Sequence, residues 1–238
     1  MNFSSLNLKI LIGIIYFILF LIGFFLLFSF LSLDDLKSFE FIKIYKDIIF
    51  EYKNDNFFYT AFIFFIFSIV WILFLGFVFP LLILSGFIFG KWWGTIIVVS
   101  GVSIGATLLY ILANFFLRNF IKNKLEHKFL RFKKFFIKND FIYFLILRFL
   151  GGIPFTIQNI LPVLFNMSVK KYFFATLLGC MPTMFISVAI GSGIEKSIEK
   201  NSKLDFFNAL SSPEIYIPII CFISLLFLAS LIRKSYFK

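Results

Sequence analysis

The sequence predicts an all-α polytopic membrane protein: an inverted repeat of two opposed re-entrant helical hairpins, each followed by a transmembrane helix, set between N- and C-terminal transmembrane helices. Three observations point there. With 61% hydrophobic residues in 238 and a mean hydropathy of +1.00, the chain carries more apolar surface than one water-soluble domain could bury. Two long apolar stretches are broken by glycine and proline, which lipid cannot re-satisfy by hydrogen bonding, so protein or trapped water must do so there. Basic residues are concentrated in one short segment, the mark of a cytoplasmic loop between membrane spans.

The net charge of +11 would suit nucleic acid, but its distribution argues against that partner. From Leu117 to Asn139 stand Arg118, Lys122, Lys124, Lys128, Arg131, Lys133, Lys134 and Lys138 against the single acid Glu126, a net +7. The stretches Ser32 to Asn56 and Glu195 to Glu214 are slightly acidic instead. Cys180 and Cys221 lie in apolar runs with no CxxC pair or zinc spacing, so no disulfide, metal or cofactor is expected. His127, the one histidine, sits among lysines without a partner for a proton relay. The 41 phenylalanines read as codon drift, not a functional signal.

Residues 1–56 form an N-terminal anchor and an acidic extracytoplasmic loop. Ile10 to Leu31 is an apolar run of 22 residues preceded by Lys9, enough for a span of about 20. It is expected to stay uncleaved with its N-terminus inside, since Phe28-Ser29-Phe30-Leu31-Ser32-Leu33 is a poor cleavage pattern. The acidic stretch is then outside and the basic segment 117–139 inside, so an odd number of crossings must separate them. Phe57 to Gly90 is punctuated by Gly76, Pro80, Gly86 and Gly90, and Phe77 to Phe89 is only 13 residues, where a span needs about 17 or more. A hairpin turning around Gly76 to Pro80 and returning to its own side leaves Thr95 to Phe116 as the single crossing. Lys91-Trp92-Trp93 reads as an interfacial anchor, its indoles at headgroup level.

The second half repeats the pattern. Phe129 to Lys171 begins and ends beside basic residues and is broken at Gly151-Gly152-Ile153-Pro154 and again near Pro162, a second hairpin that enters from inside. Each hairpin precedes a helix with small residues that permit close approach: Gly101, Ser103, Gly105 and Ala106 in one, Ala175, Thr176, Gly179 and Ser187 in the other. Opposed broken helices meeting at the midplane are a transporter arrangement. Residues 194–238 supply an extracytoplasmic segment and the helix Ile215 to Ile232, followed by Arg233, Lys234 and Lys238, which put the C-terminus inside.

Within 117–139, Ile121, Leu125, Phe129, Phe132 and Phe136 share one helical face. Such a cationic amphipathic helix either binds anionic phospholipid at the headgroup level or serves only to set topology. Arg148 follows Phe141 by seven residues, about 10 Å along a helix, which carries it below the headgroups. A charge near the bilayer centre costs roughly 2.5–3.5 kcal/mol and usually faces a cavity or a partner. No acid occurs from Asn56 to Leu125 or from Phe141 to Ile194, which leaves backbone carbonyls, water or a lipid phosphate. Arginine suits a phosphate because its planar fork donates two hydrogen bonds at once, and the plain alternative is snorkelling to the headgroups. Gln158 and Asn159 either line a polar path or cap backbone released by Pro154.

The run Phe79-Pro80-Leu81-Leu82-Ile83-Leu84-Ser85-Gly86-Phe87-Ile88-Phe89-Gly90, then Gly94 and Gly101 to Ala106, resembles the first half of the DedA / SNARE-associated Golgi protein superfamily, whose module is the VTT domain. Arg148-Phe149, Gly152-Ile153-Pro154-Phe155, Gln158-Asn159, Tyr172, Ala175-Thr176, Gly179, Pro182 and Gly191 are similar to its second half, so the resemblance covers about 57–193. Family members often have proline where Gly151 stands, a glycine near Val163 and an arginine near Asn114. The DedA branch carries acids in the first hairpin that are absent here, which points to the branch lacking them and away from proton coupling. The resemblance implies opposed re-entrant hairpins and, for several relatives, scrambling of lipid or flipping of lipid-linked carriers.

These residues lead to an expectation of a bacterial inner membrane protein that is no enzyme and moves phospholipid or another phosphate-bearing lipid through a hydrated groove. Arg148, Gln158 and Asn159 would meet the substrate, with Pro80, Gly86, Gly90, Gly101, Gly105, Gly151, Gly152, Pro154, Phe155, Gly179 and Pro182 at breaks and close contacts. The alternatives are an ion-coupled secondary transporter of a small solute and a noncatalytic membrane assembly factor.

Overall fold

The computed structural model describes residues 50–52, 55–74, 76–116, 118–119, 123, 136, 139–150 and 153–200, with eight separate positions between 213 and 227. The predicted helix Ile10 to Leu31, most of the acidic stretch, His127, the basic segment's apolar face apart from Phe136, Gly151, Gly152 and the course of Ile215 to Ile232 lie outside the described residues. Every regular element among those described is helical.

The first half makes three passes. Helix α1 (Phe57–Phe74) is apolar all round and turns Phe64, Ser68 and Ile72, four residues apart, into the interior. After it Gly76 adopts φ +71°, and the Trp71 indole donates to the Phe77 carbonyl at 2.8 Å across the reversal. Helix α2 (Phe79–Phe116) starts with Pro80 in its first turn, where a missing N–H costs nothing. It has two arms, because Gly90 at φ 71° and ψ 177° occupies backbone space essentially reserved for glycine. On a straight helix Ser85 and Gly94 would stand about 13 Å apart along the axis. Instead the Ser85 hydroxyl donates to the Gly94 carbonyl at 2.8 Å, so the chain doubles back at Gly90.

The second reversal stands level with the start of α1: the Phe57 ring lies 6.1 Å from Phe89 and 5.6 Å from Trp93. Trp92 and Trp93, just past Gly90, are exposed. The arm 91–116 then runs parallel to α1. A Cβ on Gly101 would come within 2.9 Å of the Ser68 Cβ, and one on Gly105 within 2.8 Å of the Ile69 carbonyl, so these two positions admit only glycine at this spacing.

The second half also doubles back on itself. Helix α3 (Asp140–Leu150) is capped by Asn139, whose side-chain oxygen accepts from the Ile142 amide at 3.1 Å. Past Pro154 come α4 (Phe155–Ile160) and a 3-10 turn (Leu161–Phe165) containing Pro162, which lead back until Phe165 stacks on Phe136 at 4.1 Å. Asn166 at φ 53° turns the chain into α5 (Val169–Lys200), which runs parallel to α3. Lys171 pairs with Asp140 at 2.7 Å, and further along a Cβ on Gly179 would approach the Leu145 carbonyl to 2.7 Å. Pro182 lies inside α5, and the helix continues through it.

The two halves pack against each other. Along the arm 91–116, Trp92 meets Phe185 (5.2 Å) and Tyr110 meets Tyr172 (4.5 Å), so this arm is antiparallel to α5. Nearby the arm 79–89 crosses α5 backbone to backbone, since a Cβ on Gly86 would overlap the Val188 carbonyl and one on Gly191 would overlap that of Ile83. The two breaks also touch: the Thr156 hydroxyl donates to the Gly76 carbonyl at 3.0 Å. Phe57–Phe74, Phe79–Phe116 and Val169–Glu195 are long and apolar enough to cross a membrane.

Candidate functional site around Arg148

Arg148 sits in the last turn of α3, and its side chain is 3% exposed. Helix α5 can pass beside it because Gly179 has no side chain; a Cβ there would come within 2.8 Å of the Arg148 Cβ. The guanidinium is enclosed by rings, with its Cζ 4.8 Å from the centres of Phe144 and Phe155 and 5.4 Å from that of Tyr172. Desolvated cation–π contacts of this kind are worth about 2 kcal/mol or more and partly offset the loss of water. Nη2 donates to the Asn159 side-chain oxygen at 2.8 Å and to the Tyr172 hydroxyl at 2.7 Å.

The remaining donors stay open. Nε and Nη1 of Arg148, Nδ2 of Asn159 and Oγ1 of Thr176 are buried without a hydrogen-bond partner among the described residues. Leaving such groups unpaired costs about 1–3 kcal/mol each, more when charged, so the open guanidinium nitrogens, with the amide of the neighbouring Asn159, make a place for an acceptor-rich guest or for water. A cavity of about 200 Å³ is available, lined by Arg148 with Val78, Phe79 and Leu82 from the start of α2, Ile153, Phe155 and Gln158 from the second break, and Cys180, Thr183, Met184 and Ser187 from α5. At about 30 Å³ per water molecule it holds several, or one small polar group.

Of the sequence-derived candidates, Arg148 and Asn159 are brought into direct contact and Gln158 reaches the same cavity. The Gln158 amide also donates to the Ile153 carbonyl at 2.9 Å, so it caps backbone at the break as well as lining the space. Phe155 is more than part of a break, since its ring covers the guanidinium. Tyr172 was missed as a partner of Arg148: it stands 24 residues away in a chain where aromatic residues are 22% of the total, so one more ring carries no signal. Tyr110, stacked on Tyr172 with 8° between the planes, was missed for the same reason.

No group of three or more His, Cys, Asp or Glu residues that could hold a metal occurs among the described residues. The site is thus a buried, partly satisfied cation with rings, amides and hydroxyls around it.

The VTT domain family matches residues 77–193, which contain the whole of this constellation. The chain is similar to a transmembrane protein 41 homolog from Dictyostelium discoideum, 27% identical over 169 residues that cover 67% of this chain and 49% of that protein. It is also similar to a transmembrane protein 41 homolog from Caenorhabditis elegans, 28% identical over 119 residues, 49% of this chain and 48% of that protein. The chain spans about half the length of these curated relatives. No solved structure matches it. Residues 77–193 are a VTT domain in an integral membrane protein, and the chain belongs to the DedA / SNARE-associated Golgi protein superfamily.

Proposed function

We propose that this protein moves phospholipid or another phosphate-bearing lipid between leaflets, its two reversals acting as opposed re-entrant hairpins of an inverted repeat. The observation that carries the reading is the Arg148 guanidinium, 3% exposed, with Nε and Nη1 open beside a cavity where the two breaks meet. In this reading the headgroup passes through a hydrated groove past Arg148, Gln158 and Asn159 while the acyl chains stay in lipid. A guanidinium grips carboxylates and phosphates in pairs through two edges, Nη1 with Nη2 and Nε with Nη2, so both include Nη2. Because Nη2 is held by Asn159 and Tyr172, a phosphate first meets Nη1 or Nε and completes a two-point grip by displacing one of these neutral partners. Such a resting site holds an anion loosely enough to release it on the other side.

The protein resides in this reading in a bacterial inner membrane with both termini cytoplasmic. It acts without metal or cofactor and draws anionic phospholipid to segment 117–139. The absence of acids from 57–125 and 141–194 argues for the family branch without proton coupling. A second reading, an ion-coupled transporter of a small solute, is favoured by the modest cavity of about 200 Å³. Liposomes holding fluorescent phospholipids, probed with an impermeant quencher, decide between them. Quenching beyond the outer leaflet's share, lost in Arg148→Ala, is the expected result. Quenching equal to that of protein-free vesicles, for neutral and anionic lipids alike, rejects lipid translocation in favour of the solute reading.

A further inference from the structure

We propose that the cleft at the far end of α2 is a second binding site, one that holds a phospholipid headgroup by its phosphate at the membrane surface. This inference rests on the lipid-translocation reading for its purpose but not for its geometry. The cleft has a volume of about 430 Å³, twice that beside Arg148, and Tyr110, Asn114, Phe115, Arg118, Asn119 and Val169 line it. No lining residue is acidic. The Arg118 Nη2 donates to the side-chain oxygen of Asn166, which orients the exposed guanidinium across the mouth. Asp140, the acid at the start of α3, has its charge matched by Lys171. The side-chain oxygen of Asn114 is buried and without a partner among the described residues, an acceptor that a headgroup hydroxyl or ammonium could use and a phosphate could not.

Location selects the guest. Phe116 ends the apolar stretch that began at Thr95, and the next residues open the basic segment with its net +7. The cleft therefore stands where hydrocarbon gives way to headgroups, and Phe115, 64% exposed, offers acyl chains an apolar surface beside it. An arginine there grips a lipid phosphate with its planar fork, and the lysines that follow it in sequence raise the basic charge of the segment that attracts anionic lipid.

The back wall links this cleft to the buried site. Tyr110 has its hydroxyl engaged by the Met167 carbonyl and its ring stacked on Tyr172, and the Tyr172 hydroxyl holds Arg148. Two stacked rings thus connect the wall of this cleft to the Arg148 guanidinium.

The test uses the purified protein in an uncharged maltoside detergent, titrated with short-chain phosphatidylglycerol and, separately, with glycerol phosphate, and read by native mass spectrometry. Variants are made in an Arg148→Gln background so that the buried arginine contributes nothing. Adding Arg118→Gln is expected to weaken phosphatidylglycerol binding at least about tenfold, the loss of one charge-assisted hydrogen bond. Asn166→Gly keeps the left-handed turn, frees an Arg118 donor and is expected to leave binding at or above its starting level. Equal binding with and without Arg118→Gln overturns the proposal, as does a loss in Asn166→Gly equal to that in Arg118→Gln, which would make the arginine a clamp. Glycerol phosphate binding as tightly as phosphatidylglycerol overturns the lipid assignment. If Arg118 governs lipid binding while vesicles show no translocation, the site stands and the lipid-translocation reading falls.

Discussion

Replacing Tyr172 with phenylalanine deletes one oxygen atom and leaves the ring in place. The ring's stacking on Tyr110 (4.5 Å) and Phe144 (5.1 Å) and its contact with the Arg148 guanidinium do not depend on that oxygen. What disappears is the acceptor 2.7 Å from Arg148 Nη2, together with a weaker 3.3 Å contact to the carbonyl and side-chain oxygens of Asn159. A hydrogen bond to a buried charge is worth about 1.5–3 kcal/mol, and the guanidinium already has two unpaired nitrogens, so no spare partner steps in. At roughly 2–4 °C per kcal/mol for a chain of this size, the apparent Tm falls by about 3–12 °C. Fluorescence-detected size exclusion after heating, in one detergent and at one protein concentration, measures it. Translocation in liposomes should persist at the wild-type rate or above, because one Nη2 hydrogen becomes free for phosphate. An unchanged Tm would show that the hydroxyl does not satisfy Arg148, and a rate as low as that of Arg148→Ala would refute the view that Tyr172 competes with the phosphate.

Gly86→Ala drives a methyl into the Val188 carbonyl and should cost about 1–3 kcal/mol or prevent folding, visible as a lower Tm or as aggregation on the same column. Thr156→Val keeps shape and removes the hydrogen bond to Gly76, so a loss of about 0.5–1.5 kcal/mol is expected, with faster hydrogen exchange at the two breaks by mass spectrometry. Lys171→Ala breaks a pair that is 53% exposed on the lysine side, and its effect on Tm should stay within the range of surface ion pairs, under about 1 kcal/mol.

Much of this arrangement was legible in the chain because membrane insertion leaves coarse marks. Apolar length, breakers and charge asymmetry act one segment at a time, so Gly76 and Pro154 could be read as breaks and Thr95 to Phe116 as apolar enough to cross without knowledge of any neighbour. The sharp second reversal at Gly90 was less legible: that glycine was noted as punctuation, but its φ of 71° follows from the Ser85 to Gly94 contact. Pro182 shows the opposite case, a breaker by composition that α5 absorbs. In the site, Arg148 stood out as a charge in an apolar run, and Asn159 as an amide near it.

The sequence by itself determined that the solvent is a bilayer, that helices must satisfy their own backbone there, and that one arginine stands in a long apolar stretch with no acid from Phe141 to Ile194. Only the tertiary structure decided what surrounds that arginine. Tyr172, Phe144 and Phe155 reach it from three different elements, and glycines 86, 101, 105, 179 and 191 are where helices meet at backbone distance. The physical reason is that hydropathy and charge are properties of single residues, whereas a cation's cage and a cavity are properties of pairs brought together across the fold. In a chain with 41 phenylalanines, no single ring announces its partner.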